Sequence, residues 1–129
     1  MFSLNRVQIA GNLTKDLEMR YTPNGAAVAN MNMAINRTWK DKEGNKQEDV
    51  SYVRVVVWGK MAENAAEYLA KGSNVFVEGR MQSRSWEKDG VKQYGMDVVA
   101  SNVQYLDKKK KEDKPVEKEE EAPPIEEEF

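Results

Sequence analysis

The chain has no cysteine and no histidine among its 129 residues. Disulfide frameworks, thiolate nucleophiles, imidazole bases and the usual Cys/His zinc sites are thereby excluded, and with them most routes to catalysis. Carboxylates are plentiful, but no pair of them falls in an apolar setting of the kind a carboxylate hydrolase uses. No catalytic residue, metal or cofactor is expected. Long apolar runs are also missing: nothing approaches the roughly 20 residues of a membrane span. The opening "MFSLNRVQIAGNL" has no basic segment followed by an apolar stretch of signal length. A cytoplasmic protein with no membrane partner is expected. A hydrophobic content of 40% over this length supports one modest core.

The formal net charge of −2 hides a division of the chain. Residues 107–129 carry 6 lysines against 10 acids, which leaves 14 cations against 12 acids in residues 1–106. The two segments have opposite sign, so partners must be inferred segment by segment. The stretch "DKKKKEDKPVEKEEEAPPIEEEF" is almost all charge and proline, cannot bury enough to offset ordering entropy, and is expected to be a disordered acidic tail. Residues 1–106 are expected to form the single globular domain.

Within that domain "NRVQIAGNL" and "LEMRY" read as an opening strand that continues through a bend, with Gly11 as the candidate bend. "TPNG" suits a type I turn into a second strand, "AAVANMNMAIN", whose alternation slips between Val28 and Met31 and suggests a bulge. "KDKEGNKQED" is expected to be a long mobile loop. In the third strand, "VSYVRVVVWGK", period two sets Val53, Val55 and Val57 on a core side and Tyr52, Arg54, Val56 and Trp58 on the other. "KMAENAAEYLAKG" shifts to helical period, with Met61, Ala65, Tyr68 and Leu69 on one face and Lys71–Gly72 as its end. Two further strands, with Val75 and Val77 as core, flank Asp89-Gly90, a strong hairpin signal. Five strands with a helix between the third and fourth is the order of an OB-fold, an all-β Greek-key barrel that commonly binds oligonucleotides or oligosaccharides.

All three tryptophans and one tyrosine form a candidate binding set: Trp39, Tyr52, Trp58 and Trp86. Each lies beside cations, namely Arg37 and Lys40 at Trp39, Arg54 between Tyr52 and Trp58, Lys60 just after, and Arg84 two positions before Trp86. Exposed rings along a cationic track suit single-stranded nucleic acid, because every base has a π-face and every phosphate a charge. The same rings would serve barrel packing, or an OB module for RNA or oligosaccharide; the cations favour nucleic acid over sugar.

The segments "VQIAGNLTKDLEMRYTPNGAAVANMNMAINRTW" and "VRVVVWGKMAENAAEYLAKGSNVFVEGRMQSRSW" closely resemble bacterial single-stranded DNA-binding proteins. The motifs "GNL", "RYTPNG", "VWGKMAE" and "YLAKGSNVFVEGR" are specific in this order. The resemblance implies a non-catalytic OB-fold homotetramer, nucleoid-associated, that coats single-stranded DNA in replication, recombination and repair. It places Trp39, Tyr52, Trp58 and Trp86 at base-stacking positions. It also places Arg54, Lys60, Lys71 and Arg84 along the DNA path, with Arg6 and Arg20 as weaker candidates of the same kind; Arg37, beside Trp39, is a further phosphate candidate by position, and Lys42 and Lys46 lie in the long loop. Relatives of this kind end in acids and an apolar tip containing Pro-Phe that docks on replication and repair proteins. Ile125, Glu126, Glu127, Glu128 and Phe129 are the matching tip here, without the proline expected next to the last residue.

Overall fold

A computed structural model describes residues 1–107. The tail tip, Ile125 to Phe129, lies outside the described residues. The elements run β1 (Val7–Leu13), β2 (Glu18–Tyr21), β3 (Ala27–Lys40), β4 (Lys46–Trp58), α1 (Gly59–Tyr68), β5 (Asn74–Lys88) and β6 (Val91–Tyr105). β1 pairs antiparallel with β5, β5 with β6, and β3 with β4, while β6 meets β4 in parallel at Val55↔Val98 and Val56↔Val99. Asn12↔Ala34 and Leu13↔Met33 join β1 back to β3 and close a five-stranded barrel. β2 lies outside that ring, paired to β3 alone. The architecture is the expected OB-fold, with the helix between the third and fourth barrel strands.

The barrel interior follows from alternation. Ala29, Met31 and Met33 of β3 face Val57, Val55 and Val53 of β4 in direct register, and Val75, Val77 and Val98 complete the lining. Of the five expected core valines, Val55, Val57, Val75 and Val77 are wholly buried and Val53 packs against them partly covered. α1 adds Ala62, Ala65 and the following Leu69 to the same cluster, where small side chains let a helix sit close on the strands. Met61 and Tyr68 are only partly buried, so the apolar stripe is centred one position away from the one read from the sequence.

Several local expectations are corrected. Gly11 is not a bend: it pairs regularly with Val75, and the opening strand breaks instead over residues 14–17. There is no bulge between Val28 and Met31, whose register with β4 is continuous; the slip in alternation reflects burial on both faces over Ala27–Met31. The bulge is at Glu78/Gly79, opposite Ser101. Gly79 is required there by close approach, since a Cβ would run into the Val99 carbonyl oxygen. The charged connection is short, because β3 and β4 extend to Lys40 and Lys46, which are paired to each other. Its turn is closed by Asp41, whose Oδ1 accepts the backbone N–H groups of Glu43 and Asn45 at 2.9 and 2.8 Å. The helix ends at Tyr68, before Lys71 and Gly72. Asp89-Gly90 forms the expected two-residue turn, with φ positive at both residues (53° and 78°) as a type I′ hairpin demands.

Candidate nucleic-acid interface

β3 with β4, and β5 with β6, extend past the barrel as two antiparallel ribbons. Barrel closure is complete where the four-way packing ends, so side chains further out on the ribbons have no interior to enter. This is why Trp39 and Trp86 stay uncovered, at 39% and 41% exposed, whereas Tyr52 and Trp58, at 73% and 46%, lie at the level of the barrel on the outward side of β4. None of the four fills the core.

Register decides which of them share a surface. Tyr52, Arg54 and Trp58 lie opposite Ala34, Asn32 and Val28, on the face of β4 that points away from the barrel interior. Beyond the bulge, Arg84 and Trp86 pair with Gly95 and Gln93, in step with Asp97 on the outward face of β6. The two patches meet at Asp97. Asp97 is 7% exposed, and its carboxylate accepts from Arg84 Nε at 2.8 Å to each oxygen and lies 3.9 Å from Arg54 Nε. Arg54 also reaches Asn30 Oδ1 at 3.5 Å. Trp39 is not brought into this group. It pairs with Gln47 in the same parity as Met31 and Met33, so the pleat puts it and Arg37 on the reverse face of the β3–β4 ribbon.

Two rings carry a cation directly. The Arg37 guanidinium carbon is 4.1 Å from the Trp39 ring centroid, and that of Arg84 is 4.5 Å from Trp86. Lys60 opens α1 right after Trp58 and Gly59, with its ammonium 3.8 Å from Glu63 and its side chain 81% exposed. Lys71 follows the helix, and its backbone N–H donates to Asp16 at 2.8 Å, which leaves the side chain to solvent at an exposed position. Arg20 sits exposed on β2 opposite Val28, near the Trp58 end of β4. Arg6 is paired with Glu78 on the β1–β5 side of the barrel, and its guanidinium is thereby partly neutralised. Lys46 lies 3.7 Å from Glu48 at the ribbon tip, beside the exposed Lys42.

Asp97 and Asn30 were not singled out from the sequence. The signal was an acid between Met96 and Val98 in a strand: alternation sets Asp97 opposite in face to the core residue Val98, among cations. Tyr94 is a further uncovered ring, 74% exposed, and pairs with Ser85 on the face of the β5–β6 ribbon away from Trp86.

A profile described as the single-strand binding protein family matches residues 4–106. Among curated relatives, a "Single-stranded DNA-binding protein" of Oceanobacillus iheyensis is 49% identical over 107 residues, covering 82% of this chain and 65% of that protein. One of Bacillus cereus is 46% identical over 105 residues, covering 81% of this chain and 61% of that protein. The chain thus spans less than two thirds of the length of these relatives. Of solved structures, the wild-type single-stranded DNA binding protein from Thermus aquaticus superposes with a TM-score of 0.71 at 40% identity, covering 81% of this chain and 51% of that one. The Plasmodium falciparum SSB complex with ssDNA superposes with a TM-score of 0.76 at 23% identity, over 83% and 98% of the two chains, and is a likeness of fold.

Proposed function

Because the chain belongs to the single-strand binding protein family, we propose that it binds single-stranded DNA without reading its sequence and has no catalytic activity. Residues 1–106 are the binding domain and residues 107–129 a tail. Bases stack on Trp39, Tyr52, Trp58 and Trp86, and phosphates are met by Arg37, Arg54, Lys60, Lys71 and Arg84, with Arg6 and Arg20 contributing less. The observation that carries this is the exposure of all four rings, 39–73%, on β3, β4 and β5, the strands that also bear Arg37, Arg54 and Arg84. Uncovered indole costs solvation unless a ligand uses it. Bases offer it a flat partner, worth about 1–3 kcal/mol each, and the cations add a salt-sensitive share.

One domain per chain holds few nucleotides, so wrapping calls for assembly, here a homotetramer whose linked sites raise each other's effective concentration. The role is protection of single strands in replication, recombination and repair, in the cytoplasm at the nucleoid. The tail, through Ile125, the three glutamates and Phe129, recruits replication and repair proteins, its acids and terminal carboxylate suiting a basic pocket with an apolar floor.

Titration of intrinsic tryptophan fluorescence with poly(dT) across a salt series tests the reading. Strong quenching is expected, with a log–log salt slope of about −0.7 for each phosphate neutralised. Preference for RNA or an oligosaccharide over dT in competition would overturn it. Sedimentation of the free protein reads the tetramer. Truncation after Asp107 separates the two activities: poly(dT) binding survives and capture of replication and repair proteins is lost.

A further inference from the structure

Two arginines converge on one buried carboxylate at the centre of the outward face, and they are not held alike. Arg84 shares its single Nε–H between both oxygens of Asp97, 2.8 Å from each, in a short charge-assisted three-centre hydrogen bond. The face of the same guanidinium lies 4.5 Å from the Trp86 centroid. Beneath it is Gly95, where a Cβ would come within 3.3 Å of both Arg84 Nη2 and the Trp86 ring, so the bare backbone leaves the space that this stack occupies. Arg54 differs. Its Nε is 3.9 Å from Asp97 Oδ2, beyond hydrogen-bond reach, and is a buried nitrogen with no hydrogen-bond partner among the described residues. Its other contact, to Asn30, is at the 3.5 Å limit. The single carboxylate is therefore committed to Arg84, and the cluster keeps one cation's worth of charge.

We infer that Asp97 is a positioning residue which clamps Arg84 as the seat of the Trp86 ring, reduces Arg84 to the smaller share of the phosphate contact proposed for both arginines, and leaves Arg54 with the larger. The two arginines divide the labour. Arg84 loses most of its field to Asp97 and acts by fixing the angle at which Trp86 meets a base. Arg54, its side chain 37% exposed between Tyr52 and Trp58, has donors to spare and meets the Asp97 carboxylate only at 3.9 Å, without a hydrogen bond to it. This deepens the DNA-binding reading and rests on it for the role of Arg54, whereas the seating of Trp86 is a property of the free protein.

The test therefore has two arms. In the full chain carrying Trp39→Phe and Trp58→Phe, Trp86 is the sole tryptophan, since the protein has three. Time-resolved anisotropy and acrylamide quenching without DNA then read its mobility. Asp97→Asn, Arg84→Gln and Arg84→Lys are each expected to free the ring, the lysine because it keeps charge without the planar guanidinium that lies over the ring. Arg54→Gln is expected to leave it unchanged. Should Asp97→Asn not fold, the two Arg84 variants decide this arm. In the second arm, with all tryptophans present, Arg54→Gln is expected to reduce the poly(dT) salt slope by about 0.7, and Arg84→Gln by less than half of that while weakening binding about fivefold. Trp86 mobility unchanged on losing Arg84 or the Asp97 charge would overturn the clamp. Equal slope changes for the two arginines would overturn the division. Absence of poly(dT) binding by the unsubstituted chain would instead refute the DNA-binding reading itself, and the first arm would still decide the clamp.

Discussion

Tyr52→Ala is the cleanest measure of base stacking in this fold. The ring is 73% exposed and stands opposite Ala34, so its removal uncovers little and leaves no cavity. A surface truncation of this sort changes stability by about 0.5 kcal/mol or less. Trp58 offers no such separation, because it is the N-cap residue of α1 and pairs with the buried Val28. A stacked base contributes about 1–3 kcal/mol, and a phenol ring, smaller than an indole, belongs in the lower half of that range. About 1–2 kcal/mol corresponds to a five- to thirtyfold rise in Kd. The assay is titration with a dT oligomer short enough to occupy one domain, since a longer strand would compound the loss over linked sites. The signal survives the substitution because the three tryptophans remain. Tyr52→Phe keeps the ring and is expected to bind within about twofold of the unsubstituted protein. A Tyr52→Ala protein with an unchanged unfolding midpoint and a Kd shifted by less than about twofold would refute stacking at this position.

Lys60→Gln, at an 81% exposed side chain, is expected to lower the poly(dT) salt slope by about 0.7, whereas Arg6→Gln changes it less because Glu78 already neutralises that guanidinium. Gly79→Ala forces a methyl group into the Val99 carbonyl at the bulge and is expected to destabilise by about 1–3 kcal/mol in urea unfolding, an unchanged midpoint counting against the close approach. Tyr105 has its pKa raised above 10.0 by burial first, then by the nearby Tyr68 and Glu67. The native state thus holds this proton more tightly than the unfolded chain, so the associated stability is complete below about pH 10 and is lost as pH rises through the native value. Urea midpoints of the unsubstituted protein should fall more steeply above pH 10 than those of Tyr105→Phe, and parallel curves would contradict the shift.

What the sequence made legible was whatever a few neighbouring residues decide. Alternation set Val55 and Val57 inside and Tyr52 and Trp58 outside, and Asp89-Gly90 forced its hairpin, because pleat and turn geometry are local. The misplaced bulge shows where that logic stops. Two-sided burial over Ala27–Met31 blurs alternation just as an inserted residue would, and only the partner strand tells them apart. The closing pairings, Leu13↔Met33 and the parallel Val55↔Val98, join segments far apart in the chain and leave no local trace. Asp41 was read as one charge in a charged loop, but two N–H groups make it the device that keeps the turn short.

Parity also carries a consequence for the path of a bound strand. Trp39 lies five positions past Ala34, the partner of Tyr52, so the two rings are about 17 Å apart along the ribbon and on opposite faces of it. A straight strand lying on the outward face reaches Tyr52, Trp58 and, across Asp97, Trp86, but it cannot touch Trp39 while doing so. Either the strand turns around the ribbon edge, aided by the ribbon's own right-handed twist, or Trp39 takes a base from a different stretch of DNA. If Trp39 stacks a base together with the other three, as proposed, either route brings DNA to both faces of the ribbon. Residue parity in two paired strands thus sets the direction in which a strand leaves one domain, and the proposed assembly of subunits is what would carry it further.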